Sequence, residues 1–218
     1  MNLTSLAAWL DTTFADFDYA VLSALHAAAE PAGWLLTPLT RMITFLGEKG
    51  IVFFAAALLL ACFPRTRRTA VCLFGAVCCG ALITNICLKD AVARIRPLEA
   101  LPEFTAWWQA MGAPAEAGFS FPSGHVTAAS AGMCALCFAR GRRWLLPAVV
   151  TIAAMALSRC YLLAHYPSDV IAAALIGFLS AAVAYGITSA IYALLRRTAG
   201  TKFSRFVHNF DIRTPAKW

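Results

Sequence analysis

The chain has 218 residues, of which 61% are hydrophobic and only 13% are charged, with a formal net charge of +7 at pH 7. A soluble globular domain carries roughly 25% charged residues, so this composition excludes a soluble enzyme and predicts a single-domain polytopic membrane protein. The basic residues cluster between apolar segments, as in membrane-protein loops, and we therefore expect a bilayer and no nucleic acid as partner.

The N-terminal stretch, residues 1–46, is apolar but is interrupted by charged residues, glycine and proline. The interruptions divide it into pieces of about 12 residues, which are too short to cross a bilayer. We therefore expect interfacial or re-entrant helices here. The alternative is one further membrane span built from residues 17–46.

Five longer apolar segments follow and predict an all-α membrane bundle of five to six transmembrane helices. The first is short for a span, so a start nearer Ile43 is the alternative. The predicted membrane domain covers residues 47–197, and a basic tail, residues 198–218, follows it. The five segments are residues 50–63, 69–88, 123–139, 144–163 and 168–195.

The loop charges predict an orientation. Most of the 18 Lys and Arg residues lie between segments one and two, between segments three and four, or after segment five. Basic loops remain in the cytoplasm, so these regions and the tail are expected there. The loop 97–122 and the turn 166–168 are then expected to face the outside.

Three motifs lie at or beside the ends of segments on that outer side. Their cations are suited to the oxygens of a phosphate, and two histidines can divide a nucleophilic role and an acid role. The motifs are Lys89-x6-Arg96-Pro97, Pro122-Ser123-Gly124-His125 and Ser158-Arg159-x5-His165-x3-Asp169.

In the first motif, Lys89 and Arg96 are seven residues apart, or about two helical turns, so both are expected to project toward one surface. Pro97 is then expected to end that helix. Taken alone, the pair is typical of cations that reach the membrane interface from a helix end.

The second motif opens an apolar helix. Ser123 can cap the helix, and the free N–H groups of its first turn attract an anion. Gly124 allows a phosphate to approach the backbone closely, and His125 is expected beside that anion.

The third motif joins the fourth segment to the fifth. His165 follows Arg159 in a turn that contains Pro167, and Ser168 is expected to cap the fifth helix. Asp169 is expected in the first turn of that helix, within reach of the His165 imidazole that it can orient. Taken alone, an aspartate at a helix start is ordinarily a capping residue.

In this order, the three motifs resemble the signature of the type 2 phosphatidic acid phosphatase (PAP2) superfamily, which is K-x6-RP, PSGH and SR-x5-H-x3-D. All three are complete in this chain, within residues 85–170. The resemblance implies a PAP2-like bundle and a membrane phosphatase that needs neither a metal nor another cofactor. Soluble acid phosphatases and haloperoxidases also belong to the superfamily, but the hydrophobic composition disfavours both.

The resemblance also implies a role for each residue. His165 attacks phosphorus and forms a phosphohistidine, Asp169 holds its ring in the attacking tautomer, and His125 protonates the leaving oxygen and then activates water. Arg94 is not part of the signature and is interpreted as an electrostatic neighbour. The residues that bind the phosphate oxygens are Lys89, Arg96, Ser123, Gly124 and Arg159.

The expected substrate is a membrane lipid that carries a phosphomonoester or a diphosphate. Undecaprenyl diphosphate, phosphatidic acid and phosphatidylglycerol phosphate are the candidates, and the outward site and short chain favour the first. A lipid phosphotransferase with the same site and a small non-enzymatic transporter are the alternatives.

Overall fold

The computed structural model describes residues 4–114 and 116–197, and within these ranges every regular element is helical. The predicted all-α membrane bundle is therefore confirmed. The predicted basic tail, residues 198–218, lies outside the described residues.

The described chain forms ten α-helices. Helix α4 continues as a π-helical segment, Leu82–Leu88, and 3-10 turns at Glu48–Gly50 and Arg142–Trp144 precede α3 and α9. The helices are α1 (Ser5–Thr13), α2 (Ala15–Leu46), α3 (Ile51–Ala61), α4 (Arg67–Ala81), α5 (Lys89–Val92), α6 (Pro97–Ala100), α7 (Pro102–Met111), α8 (Gly124–Arg140), α9 (Leu145–Tyr161) and α10 (Pro167–Arg197).

The bundle is built around α8, which packs against α10, α4 and α9. Small residues allow the close crossings, as is usual between membrane helices. A Cβ atom at Gly177 of α10 would lie 2.6 Å from the Thr127 carbonyl oxygen of α8. A Cβ atom at Gly80 of α4 would lie 2.9 Å from the Thr127 side chain. Larger residues at these two glycines would force the helices apart.

Within the described residues, four helical stretches are long and apolar enough to cross a membrane. Large apolar side chains on their outward faces are exposed, among them Leu58 at 72% and Leu146 at 72%. Such a surface is stable in lipid and not in water, which makes this a multi-pass membrane protein. The four stretches are Ala15–Ala61, Arg67–Ala100, Arg142–Tyr161 and Pro167–Arg197.

The expected division of the N-terminal stretch into short pieces is wrong, because Ala15–Leu46 forms one helix of 32 residues. Pro31 and Pro38 lie inside α2, and each removes one backbone hydrogen bond. Packing of α2 along α9 offsets this loss. Tertiary contacts thus override the local helix-breaking signal.

Both ends of α2 contact the same end of the bundle, which also holds Lys89, His125 and His165 and is called the motif end below. Near the start of α2, Asp18 bonds Arg94, and near its end Thr44 bonds Ser158. Between these contacts, His26 stacks on Trp107 with ring centroids 4.1 Å apart. Helix α2 therefore extends across the motif end. Its interfacial placement in a bilayer stays a prediction.

Candidate active site

The three motifs meet at one cavity of about 1150 Å³ at the motif end. His125 and His165 both line it, as do Lys89, Arg96 and Gly124. Apolar residues of α2, α4 and α8 line it as well, so one cavity can contact a charged head group and an apolar chain. These apolar residues are Phe45, Val77, Ala81 and Ala128.

The first motif reaches the cavity by a route that the sequence did not predict. The helix that begins at Lys89 ends at Val92, and Ala93 follows with a φ of 54° in the left-handed region. Arg96 lies in extended backbone, and Pro97 begins α6 instead of ending a helix. The prediction of one continuous helix through this motif is therefore wrong, although both cations line the same cavity.

The Arg96 guanidinium is fixed by three backbone carbonyls. It donates to Gly118 at 2.9 Å, to Ala117 at 3.1 Å and to Ala164 at 2.7 Å. The nitrogen that donates to Ala164 also lies 3.3 Å from His165 Nε2. With 2% exposure, Arg96 is a rigid cation beside the imidazole.

The His165 ring is buried, and its Nδ1 lies 2.6 Å from the backbone carbonyl oxygen of Ser120. A carbonyl oxygen only accepts hydrogen bonds, so Nδ1 carries the proton, and Nε2 of the neutral ring carries the lone pair. Burial holds the pKa of His165 well below its usual value, and three nearby cations lower it further. The ring is thus neutral, with a nucleophilic nitrogen beside Arg96. The cations, by decreasing effect, are Arg159, Arg96 and Lys89.

Asp169 and His165, both described residues, do not bond each other, and this corrects the predicted direct contact. Asp169 accepts hydrogen bonds from the Ser120 hydroxyl at 2.5 Å, the Tyr166 amide at 3.0 Å and Arg94 at 2.6 Å. Tyr166 precedes α10, and the Asp169 carboxylate bends back to its amide as the acidic residue of a capping box does. Asp169 is therefore connected to His165 through Ser120, whose hydroxyl it binds and whose carbonyl oxygen contacts the ring.

Arg94 is 1% exposed and lies among three carboxylates. It donates to Asp11 at 2.7 Å, to Asp18 at 2.9 Å and to Asp169 at 2.6 Å. Asp18 also accepts hydrogen bonds from the amide of Ser168 at 2.8 Å and from its hydroxyl at 2.6 Å. The prediction that Ser168 caps α10 is therefore wrong, because α10 begins at Pro167 and Ser168 lies inside its first turn, where Asp18 of α2 binds its amide. The only sequence signal for Asp11 and Asp18 was the presence of carboxylates in an apolar stretch.

His125 lies in the first turn of α8, and Ser123 caps that helix by accepting a hydrogen bond from the Val126 amide at 3.5 Å. Both features agree with the sequence prediction. His125 Nε2 lies 3.3 Å from a carboxylate oxygen of Glu48, a residue that the motifs do not include. This carboxylate can stabilise the protonated ring that a general acid requires.

Arg159 is fully buried and pairs with Glu116, a residue of the loop between α7 and α8. The other oxygen of the Glu116 carboxylate lies 3.4 Å from Arg96, so Glu116 bridges two motif arginines. Burial opposes ionisation of Glu116, but Arg159 and then Arg96 outweigh it and hold its pKa below the usual value. Among the described residues, Arg159 Nε has no hydrogen-bond partner. Sequence reasoning assigned no role to Glu116.

The structure thus brings together a neutral nucleophilic imidazole, a second histidine and a cluster of cations. Fixed cations beside a nucleophile are suited to phosphoryl transfer, because they stabilise charge on the transferred group. The described residues include no group of three or more His, Cys, Asp or Glu that could hold a metal ion.

Comparisons with known proteins agree with this geometry. The model of the PAP2 superfamily matches residues 69–192, which is more than half of the chain and includes every motif residue. No curated protein matches the chain significantly by sequence.

Two solved structures are similar to this chain. Aquifex aeolicus LpxE aligns with a TM-score of 0.63 and 21% identity over 76% of this chain and 93% of that one. The first transmembrane PAP2-type phosphatidylglycerolphosphate phosphatase from Bacillus subtilis aligns with a TM-score of 0.61 and 22% identity, over 85% and 92%. At these identities the likeness establishes the fold.

Proposed function

The chain belongs to the PAP2 superfamily, and we propose that it is an integral-membrane phosphatase that removes a terminal phosphate from a membrane lipid. One observation carries the proposal. The Nδ1 proton of His165 is committed to the Ser120 carbonyl, so Nε2 is the unprotonated ring nitrogen, which accepts a long hydrogen bond of 3.3 Å from Arg96 in a cavity with polar and apolar walls.

In the first step, the Nε2 lone pair of His165 forms a bond to phosphorus as the bond between phosphorus and the lipid oxygen breaks. His125 donates its proton to that oxygen, so the lipid leaves as an alcohol or as a monophosphate. The imidazole of the resulting phosphohistidine is positively charged, and its Nδ1–H remains bound to the Ser120 carbonyl.

In the second step, water attacks phosphorus, and His125 accepts the proton that the water releases. The phosphorus–nitrogen bond breaks, and its electron pair returns to Nε2, which restores the neutral ring of His165. Lys89, Arg96 and Arg159 stabilise the nonbridging oxygens in both steps, together with the helix start at Ser123 and Gly124. The site as proposed needs no metal, so activity should persist after EDTA treatment.

The proposed substrates are undecaprenyl diphosphate, phosphatidic acid and phosphatidylglycerol phosphate, with the first favoured. The mixed lining of the cavity supports a lipid with a charged head group. The loop charges support a site on the extracytoplasmic face with the C-terminus in the cytoplasm.

The test is phosphate release from a panel of these lipids by the purified protein in detergent. We expect release from at least one lipid and inhibition by orthovanadate, which mimics pentacovalent phosphorus. His165→Ala should abolish release while the protein remains folded. A folded protein that releases no phosphate from any lipid, or a His165→Ala variant with the wild-type rate, would refute the proposal. Addition of alcohol acceptors distinguishes hydrolysis from phosphate transfer.

A further inference from the structure

The Glu116 carboxylate occupies the place where the proposed mechanism requires the phosphate. Its two oxygens contact Arg159 and Arg96, two of the three cations assigned to the nonbridging oxygens. The Glu116 side chain is 24% exposed, whereas those of Arg96 and Arg159 are 2% and 0% exposed. Arg96 is held by three backbone carbonyls and Arg159 by a hydrogen bond of 3.4 Å to Thr44, and the Glu116 carboxylate, which also lines the cavity, pairs with both.

A carboxylate and a phosphate present similar oxygens to a guanidinium, and both bind it through charged hydrogen bonds. They cannot occupy the same arginine nitrogens at the same time. Phosphate binding therefore requires the Glu116 side chain to leave, exchanging one negative charge for the charge of the ligand. Neighbouring contacts support this exchange, because Arg96 keeps its bonds to three backbone carbonyls when Glu116 leaves.

We propose that Glu116 is an internal competitor for the phosphate subsite, which lowers the occupancy of that subsite by every anion and so keeps weakly bound phosphodiester head groups from saturating it. This inference rests on the proposed function. A phosphodiester lipid carries one negative charge, like the carboxylate, and gains little by displacing it. A terminal phosphate carries about two charges near pH 7 and is attracted more strongly to the same cations.

The competition has a defined signature. If the carboxylate holds the subsite for about nine-tenths of the time, the apparent affinity of any displacing anion falls about tenfold, since only the open fraction binds. Simple displacement weakens all anions by the same factor. The ratio of the affinity for a terminal phosphate to the affinity for a phosphodiester is then unchanged. A weakly bound phosphodiester, even if abundant, no longer saturates the subsite, whereas a terminal phosphate still binds.

The experiment compares full-length wild-type protein with Glu116→Gln and Glu116→Ala in detergent. Binding of orthovanadate is measured by thermal shift and calorimetry, without turnover. Competition by phosphatidylglycerol in mixed micelles is measured against vanadate. Glu103→Gln is the matched control, because it removes one exposed carboxylate from α7 without touching the arginines.

We expect both Glu116 variants to bind vanadate and phosphatidylglycerol about tenfold more tightly than wild type, by the same factor for each, and Glu103→Gln to match wild type. Unchanged or weaker vanadate binding would overturn the inference, because Glu116 would then be neutral or a substrate ligand. A gain for vanadate that clearly exceeds the gain for phosphatidylglycerol would also overturn it, since that indicates repulsion of a bound ligand and not displacement. Vanadate binding is scored even if no lipid is hydrolysed, so failure of the proposed function is distinguishable.

Discussion

Replacing Asp18 by alanine should destabilise the protein, because this α2 carboxylate fixes the start of α10 and the Arg94 cluster. The Asp18 carboxylate is buried and accepts three hydrogen bonds, two from Ser168 and one from Arg94. In Asp18→Ala the Ser168 amide and one Arg94 nitrogen lose their partner in a buried environment.

The structure sets the size of the effect. Removing one partner of a buried ion pair costs about 3–5 kcal/mol. Arg94 keeps its ion pairs with Asp11 and Asp169, which reduces the loss of stability, whereas the lost hydrogen bonds to Ser168 add to it. We therefore expect the free energy of unfolding to fall by about 3 kcal/mol, the low end of this range. For a chain of this size, about 1 kcal/mol shifts the melting temperature by about 2–4 °C, so we expect a decrease of about 6–12 °C.

The assay is thermal unfolding of the purified protein in detergent, with Asp16→Ala as the control. Asp16 lies in the first turn of the same helix but is exposed, so its removal should change the melting temperature by only about 1–3 °C. Phosphatase activity should also fall in Asp18→Ala, because the network reaches His165 through Asp169 and Ser120. Melting temperatures of the two variants that agree within error would refute the reasoning.

Three further predictions concern His165 and its contacts. The pKa of His165 is held well below its usual value, so protonation of His165 should cause no loss of kcat/KM near pH 6.5, and the acid-side decline should lie at lower pH. A decline of kcat/KM already centred near pH 6.5 would contradict the assignment of His165. The free energy of unfolding should also decrease as pH falls below about 6.5, because the unfolded chain takes up a proton that folded His165 resists. Ser120→Ala removes a hydroxyl bond worth about 1.5–3 kcal/mol to Asp169, so kcat should fall about ten- to hundredfold with little change in KM. Ser130→Ala, which removes the hydroxyl bond from α8 to the Ala174 carbonyl of α10, is the control and should leave kcat unchanged.

The bundle helices could be predicted because each is encoded locally by about 20 apolar residues. The α4 region, α8, α9 and α10 each fall within a few residues of a predicted segment. A single helix over residues 17–46 was only the alternative prediction for α2, because Pro31 and Pro38 are local helix-breaking signals that packing against α9 overrides. The break after Val92 was also hidden, since no residue there marks the left-handed Ala93.

The sequence predicted which motif residues form the candidate site but not which residues they contact. Spacing placed His125 and His165 at helix ends, and the structure brings both to one cavity. Spacing could not reveal that Ser120 stands between Asp169 and His165, because Ser120 belongs to a loop 49 residues distant from Asp169 in sequence. Glu48, Glu116 and Asp18 were missed for the same reason.

The amino-acid sequence by itself determined the membrane setting, the positions of the bundle helices and the residue types that can bind and attack a phosphate. These properties depend on composition and short-range spacing, which hydrophobicity and motifs express directly. Only the tertiary structure decided which partner each charged group has. Arg94 joins Asp11, Asp18 and Asp169, and Glu116 covers Arg96 and Arg159. A buried charge must be paired with an opposite charge. It pairs with the residue that packing brings within about 3 Å, however distant that residue is in the sequence.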